Sequence, residues 1–586
     1  MPLMEDNRMK TLLTGEGAEP LEPGVFLVSK VKIQIFDDQT PPSARMTIDA
    51  PECIFDSREK NASSSGAIAL KSTDGRFSIE GEGFTWNQSV SSLAISNKVE
   101  TFISRTALQS ESGSGAPIRV KSDRFLYNKE TNVGVYSGNV EAREGTRFKM
   151  ACQRLEVELP DEQDAPQRIV ASGAVEIEIE ADGRQTFLKG SEAFYESDGE
   201  SGNLKLGGSP TWSTDLYSGA GEQIEIRDLN LKPSFSVEGA ATMTLLVAEG
   251  QSTSSGGQTI SMNSESYQVA ESGAEFSGGV AAKSNAGWDL SSEYLLASIN
   301  EETQSVTKIV ARNEVKIHQT VEGARVFAGG DRAEFTPEDG AFSDALIIGN
   351  AVVENAEFQG RADRIRLQKQ GEGEAVVADG RVSVRLPRLS SEQGGFLGLS
   401  MGRPSKGAPA AEKDGGELVI TSNQYRLANG VGQFEGNVVV KDLDGSMSSR
   451  SLEIAFGEST RMVRSMTALG NVKVVNPEGE LSCHELEGRF SGEANRLVRL
   501  VAKDAVEFRR VNGVATGTQA VFDVVGQEVE LTGDPELRTR IVKGSLTQNV
   551  LTTADVLIWD QASNTFKGRG KYRSRTLANA PVSSEP

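Results

Sequence analysis

Gly436-Asn-Val438-Val-Val440, Gly470-Asn-Val472-Lys-Val474 and Asp504-Ala-Val506-Glu-Phe508 follow one another at intervals of 34 residues. Each pairs a turn-forming residue and a spacer with two apolar residues one position apart. The same unit stands upstream as Gly66-Ala-Ile68-Ala-Leu70, Gly138-Asn-Val140-Glu-Ala142, Gly173-Ala-Val175-Glu-Ile177 and Gly278-Gly-Val280-Ala-Ala282. It returns as Asn313-Glu-Val315-Lys-Ile317 and Gly380-Arg-Val382-Ser-Val384. A fixed period of this length marks a stacked array of one supersecondary unit.

A second signal keeps step. Nine residues after the leading position stands another Gly, at Gly75, Gly287, Gly445, Gly479 and Gly513, and ten residues after Gly173 stands Gly183. Asp74-Gly75, Asp182-Gly183, Asp444-Gly445 and Asn512-Gly513 read as two-residue hairpin turns, which need positive φ. A further strand is expected seven residues on, at Tyr294, Leu452, Leu486 and Ala520. The predicted unit is strand, tight turn, strand, looser turn, strand: an antiparallel meander. Val175-Glu-Ile177-Glu-Ile179-Glu180 alternates with a period of two, as do Leu155-Val157-Leu159, Leu452-Ile454-Phe456 and Val382-Val384-Leu386. Such strands bury one face and wet the other.

Composition agrees. Apolar residues are 37% and aromatics 6% of 586 residues, with 61 Gly against 19 Pro. Abundant Gly with little Pro suits many tight turns. A net charge of −22 repels phosphate backbones and argues against nucleic acid as a partner. Cys53, Cys152 and Cys483 are three, far apart and outside any CxxC pair, so neither a disulfide framework nor a zinc site is expected. Cys483 and His484 are neighbours, but on a strand they point to opposite faces. No apolar run spans a bilayer, and Met1 to Gly24 contain no apolar signal core.

Catalytic signatures are missing. His318 and His484 are the only histidines, and GxSxG, HExxH and GxxxxGK[ST] do not occur. Glu176 and Glu178 read as a wet strand face. The chain is therefore expected not to be an enzyme, and to need no catalytic residue, metal or cofactor.

Three motif blocks carry a resemblance. Ser122-Asp-Arg124-Phe-Leu-Tyr127 through Gly138-Asn-Val140, Gly330-Asp-Arg332-Ala-Glu-Phe335 through Gly349-Asn350-Ala-Val352, and Ser422-Asn-Gln-Tyr425 through Gly436-Asn-Val438 resemble the OstA/LptA-like repeat of periplasmic lipopolysaccharide-transport proteins. Val31-Lys-Ile33-Gln-Ile35-Phe36 through Cys53-Ile54-Phe55, Asp74-Gly75 and Asn97-Lys98-Val99 is similar to the LptC family. The resemblance implies an all-β, elongated antiparallel β-jellyroll (β-taco) repeat array, folded over an apolar groove.

The expected organisation is an N-terminal extension (1–24), an LptC-like module (25–104), and OstA/LptA-like modules at 118–249, 259–387 and 417–576. A Gly/Ser/Pro-rich linker (388–416) and a disordered tail (577–586) complete it; Ser104–Pro117 and Gly250–Gln258 are further breaks. By resemblance, the groove shields acyl chains of lipopolysaccharide or a related glycolipid between inner and outer membranes, in the periplasm.

Groove-lining candidates are Val140, Val175, Ile177, Ile179, Val382, Val384, Val438, Val440, Val472 and Val474. Val31, Ile33, Ile35, Val556 and Ile558 are expected on edge strands that pair with other β-jellyroll transport proteins. An inner-membrane transporter and an outer-membrane receptor are the further partners the resemblance implies. Arg361, Arg364 and Arg366 form a local basic cluster, expected on a solvated face. The competing expectation is a structural β-solenoid or adhesion filament with a closed core and no lipid.

Overall fold

The computed structural model describes residues 2–5, 8–36, 42–75, 77–90, 92–103, 117–158, 168–181, 184–197, 202–227, 234–247, 258–270, 273–285, 287–300, 306–321, 324–338, 341–355, 358–370, 373–386, 418–442, 445–457, 463–477, 479–491, 497–543, 546–561, 563 and 565–577. The Ser/Gly-rich stretches within 104–116 and 248–257, the linker 388–416 and the tail from 578 lie outside the described residues. All forty described elements are β-strands. The chain divides into two compact units, one of residues 1–285 with 296–305 and one of residues 286–295 with 306–586.

Within each unit, successive strands pair antiparallel with the one before and the one after, as a meander. Most strands run 11 to 16 residues and are bent midway. The bend is where the Gly-Asn motif sits. In strand Val133–Glu144, Ser137 pairs with Arg154 and Val140 with Cys152, so Gly138 and Asn139 stand opposite Gln153 alone. Gly138 and Asn139 take φ of 78° and 47°, and Gly436/Asn437, Gly470/Asn471 and Asp504/Ala505 repeat the pair. Two residues against one is a β-bulge, and two successive left-handed residues bend the strand sharply.

The repeat is therefore not three strands joined by turns, as its spacing predicts, but two long strands, one with the bulge at its middle and the other supplying the single residue opposite it. The strand halves before and after the bulges form two different sheets, here A and B. Sheet A takes Val133–Ser137 with Arg154–Val157 and Ile169–Ser172. Sheet B takes Val140–Glu144 with Phe148–Ala151 and Glu176–Ile179.

The bulge also explains the quoted Ser-Asp motif. The residue opposite each Gly folds over it: a Cβ at Gly138 would lie 2.5 Å from Asp123 Oδ2, and one at Gly436 would lie 2.7 Å from Asn423 Nδ2. Asn139 Nδ2 then donates to Asp123 Oδ2 at 2.9 Å. Beside it, buried serines close the corner by donating to the carbonyl two residues on: Ser122 to Arg124, Ser264 to Ser266, Ser292 to Tyr294, Ser422 to Gln424 and Ser449 to Ser451, at 2.8–3.0 Å. Gly-Asn and Ser-Asp are the two halves of one corner.

The hairpin glycines divide into two kinds. Gly75 and Gly287 have φ of 73° and 89°. Gly445, Gly479 and Gly513 instead close their turns by pairing with Asp442, Asn476 and Arg510. A Cβ there would lie 2.5, 2.5 and 2.8 Å from the carbonyl oxygens of Val475, Arg509 and Arg538. These three are glycine because the next strand passes too close for a side chain. Asp182-Gly183 and Asp444 lie outside the described residues.

The edge-strand expectation is corrected. Val31, Ile33 and Ile35 belong to strand Val25–Phe36, which pairs with Ala44–Asp56 on one side and with Arg8–Thr14 and Gly17–Glu22 on the other. Val556 and Ile558 lie in Val556–Asp560, held between Glu528–Thr532 and Thr565–Arg569. The flanking strands Gly17–Glu22 and Thr565–Arg569 are exposed on both faces, so they lack the one-sided alternation that marks a strand in the sequence, whereas Arg8–Thr14 buries Thr11 and Leu13.

Candidate functional site

The two sheets meet through their inward side chains. Nine of the ten predicted groove residues, all but Ile179, are at most 2% exposed, and Ile179 is half-buried near the end of its strand. All ten lie on sheet B. All but Ile179, which lies beyond them toward the strand end, fall into two inward rows. Nearer the corner, a β-branched residue alternates with a small one: Val382 pairs with Ser422, Val438 with Ser449, and Val472 with Cys483. One row further out, Val384 pairs with Ile420, Ile420 with Val440, Val440 with Met447, Met447 with Val474 and Val474 with Leu481. Serine or cysteine opposite valine leaves room where the bent strands converge. Among the described residues no Asp, Glu, Lys or Arg is buried.

Outward positions carry the charge. Glu176 is exposed and meets Lys189 at 2.8 Å, which holds its carboxyl below the usual range. Lys503 bridges Glu485 and Glu487 at 2.7 and 2.5 Å. Exposed pairs of this kind add little stability. Arg361, Arg364 and Arg366 are exposed on their strand.

Sequence reasoning missed the aromatic residues that join the sheets. In the first unit Trp212 of sheet B reaches Phe235 of sheet A, ring centroids 4.7 Å apart. Its indole Nε1–H donates to the Tyr267 hydroxyl at 2.6 Å, and Tyr267, on sheet A, donates to the carbonyl of Thr242 on sheet B at 3.2 Å. A Cβ at Gly219 would collide with both Trp212 and Tyr267. Burial raises the Tyr267 phenol above its ordinary pKa, partly offset by the Trp212 bond. In the second unit Trp288 crosses to Phe335 at 6.2 Å, Phe358 to Tyr425 at 6.4 Å and Phe508 to Trp559 at 5.7 Å. Isolated aromatics at irregular intervals give no periodic signal, which is why the repeat did not reveal them.

Around Val382 and Val384 the interior is close-packed. Val382, Val384, Phe358 and Tyr425 border a cavity of only about 10 Å³, space for about one water. A larger groove of about 650 Å³ opens on the surface of the first unit. It is lined by Val31, Ala50 and Ile68 and by charged residues including Asp49, Glu80, Glu82 and Lys98, which do not suit an acyl chain.

The cysteines are core residues. Cys53, Cys152 and Cys483 are free and buried, and burial pushes their thiols up to about 11, 11 and 12. His484 points outward beside inward Cys483. His318 Nδ1 lies 3.1 Å from Asp289 Oδ1. No group of three potential metal ligands occurs among the described residues. At about pH 8 all three thiols will resist alkylation in the native protein and react fully in denaturant. Rapid native labelling of any one would show that its strand opens.

Residues 119–228 match the family described as "LptA/(LptD N-terminal domain) LPS transport protein". This segment is LptA-like. That segment runs from strand Ile118–Ser122 through Gln223–Arg227 and contains Val140, Val175, Ile177, Ile179, Trp212 and Gly219. Among solved structures, LptH, the LptA homologous periplasmic component of the conserved lipopolysaccharide transport device from Pseudomonas aeruginosa, matches at 10% identity and a TM-score of 0.14. The match covers 28% of this chain and 94% of that one. No curated protein matches the chain. Outside the matched segment, the same corner of left-handed pair, opposed side chain and buried serine recurs at Ser264/Gly278 and Ser422/Gly436.

Proposed function

We propose that this chain is a non-enzymatic lipid-binding bridge, shielding the acyl chains of lipopolysaccharide or a related glycolipid between the inner and outer membranes. The observation that carries the reading is the coincidence of the family match with an interior free of buried charge. Exposing an acyl chain to water costs roughly 0.8 kcal/mol per methylene, so a chain of about ten needs a cover worth about 8 kcal/mol. Rows such as Val384, Ile420, Val440, Met447 and Val474 supply a continuous apolar lining. Residues 25–104 are then the LptC-like module, the compartment is the periplasm, and the partners are β-jellyroll transport proteins, an inner-membrane transporter and an outer-membrane receptor.

A filled interior must open to admit lipid. The corner bulges tie the two sheets together covalently along one side, so the parting runs between the strand ends on the other. The same filling favours a second reading, a structural array with a closed core.

Native mass spectrometry with lipid extraction, on protein from its own envelope, separates the two. The bridge reading expects co-purifying glycolipid and a lipid adduct from a photo-crosslinking residue placed at Val440. A lipid-free protein that also refuses added lipopolysaccharide would establish the structural reading.

A further inference from the structure

The last described rung of the second unit is unlike the rest of the molecule. Between Thr565 and Leu577 the sequence carries Lys567, Arg569, Lys571, Arg573 and Arg575 and no acidic residue, in a chain with 61 basic and 83 acidic residues. Strand Thr565–Arg569 adds to Val556–Asp560, and strand Arg573–Leu577 adds to Leu546–Thr553. Among the described residues neither strand has a partner on its outer side, and none of the five cations forms a side-chain ion pair.

Register places the side chains. Phe566 pairs with Trp559 and Gly568 with Leu557, on the inward face; Lys567 and Arg569 pair with Ile558 and Val556 and point the other way. Ser574 pairs with inward Thr552, so Arg573 and Arg575 are outward too. Lys571 and Tyr572 occupy the corner, where Asp555 accepts from the Lys571 backbone N–H at 3.0 Å. Inside, Phe508, Trp559 and Phe566 stack at 5.7 and 5.8 Å, and Arg510 lies 4.1 Å over the Trp559 ring. Trp559 is buried, whereas Phe566 is 42% and Tyr572 55% exposed. Among the described residues the apolar interior of this unit thus reaches a half-open aromatic stack collared by five cations.

Charged side chains on an edge strand guard it against unwanted pairing. Either sign serves for that: the first unit's outer strand Gly17–Glu22 is exposed throughout and carries Glu19 and Glu22. Guarding explains neither the choice of cations in a chain of net charge −22 nor the exposed Phe566 and Tyr572 among them. Basic residues interleaved with exposed aromatic rings match an anionic bilayer surface, where cations meet lipid phosphates and rings sit at the headgroup level.

We infer that the rung Thr565–Leu577 is a docking collar for an anionic lipid surface, setting the end of the apolar interior against a membrane. The collar is independent of lipid carriage, since a protein with a closed core can dock through it equally well.

The test is flotation of the full chain with vesicles of phosphatidylcholine alone, or with about one third phosphatidylglycerol. The parent protein binds only the anionic vesicles, and added salt releases it. Replacing all five cations by Gln (K567Q, R569Q, K571Q, R573Q, R575Q) weakens binding at least roughly tenfold. The control R361Q/R364Q/R366Q, which removes three exposed arginines elsewhere, leaves binding unchanged. Circular dichroism confirms that both variants fold. Equal binding by the five-fold variant, or failure of the parent to bind anionic vesicles, overturns the collar. If the parent ignores vesicles but captures an acidic β-strand peptide that the variant does not, the collar belongs to a protein edge, and the inference falls.

Discussion

Trp212→Ala will loosen the first unit locally by about 3–5 kcal/mol, the cost of truncating a large buried aromatic. Three losses combine. The indole's contact with Phe235 disappears, its volume becomes a void between the sheets, and the Tyr267 hydroxyl loses its donor. Hydrogen exchange is the right measurement, because a stacked array opens in segments and a single global transition need not report the damage. Amides of Thr211–Ser213, Ser234–Val247 and Gln258–Ala270 should exchange faster, while strands of the second unit keep their protection. Tyr267→Phe should cost less, about 1–3 kcal/mol, since packing stays while the buried Trp212 N–H loses its acceptor and the Thr242 carbonyl loses a donor. Unchanged exchange in Trp212→Ala would mean that the two sheets do not depend on this junction.

Replacing Val175 and Ile177 together by Asp will unfold the local structure and, on the lipid-bridge reading, abolish lipid loading with it. Val175 is 0% and Ile177 2% exposed, and each packs inward on sheet B between flanking strands. Two uncompensated carboxylates there cost at least several kcal/mol, or force their own protonation. Loss of far-ultraviolet β signal or of exchange protection across Phe148–Ser197 is the expected result. Photo-crosslinkers placed singly at the same two positions keep the face apolar and report contact directly. Lipid adducts from both place this face in the groove. A folded Asp double variant that still loads lipid would remove the face from consideration.

Much of the fold was legible because the repeat forces it. A period of 34 or 35 residues, one-sided alternation in Val175–Glu180 and the near absence of buried-helix patterns specify antiparallel strands with one wet face. The face assignment followed directly: Glu176 points out and Val175 points in because strand side chains alternate. The role of Gly-Asn-Val was not legible. A left-handed Gly looks alike in a turn and in a bulge, and only pairing with the opposing strand shows that Gly138 and Asn139 face Gln153 alone. Likewise Gly445, Gly479 and Gly513 read as turn formers, although a neighbouring carbonyl is what excludes a side chain there.

The candidate site divides in the same way. Its sheet B rows were found from valines at fixed offsets; alternation also marked Leu155, Val157, Leu452 and Ile454 of sheet A as buried without tying them to the site, and the aromatics that cross between sheets gave no signal. Trp212 and Tyr267 are 55 residues apart in the chain and touch only because each strand bends over its bulge. The terminal strands escaped notice for the opposite reason: exposed on both faces, Thr565–Arg569 has no buried side to impose a pattern.

The sequence by itself determined strand identity, the inward face and the absence of charge from that face, because period-two alternation and repeat spacing are local and copied along the chain. Tertiary structure alone decided where each strand bends, which strands are edges and how far the interior is filled. Those depend on what lies opposite a residue, and that is set by pairing between segments tens of residues apart rather than by neighbours in the chain.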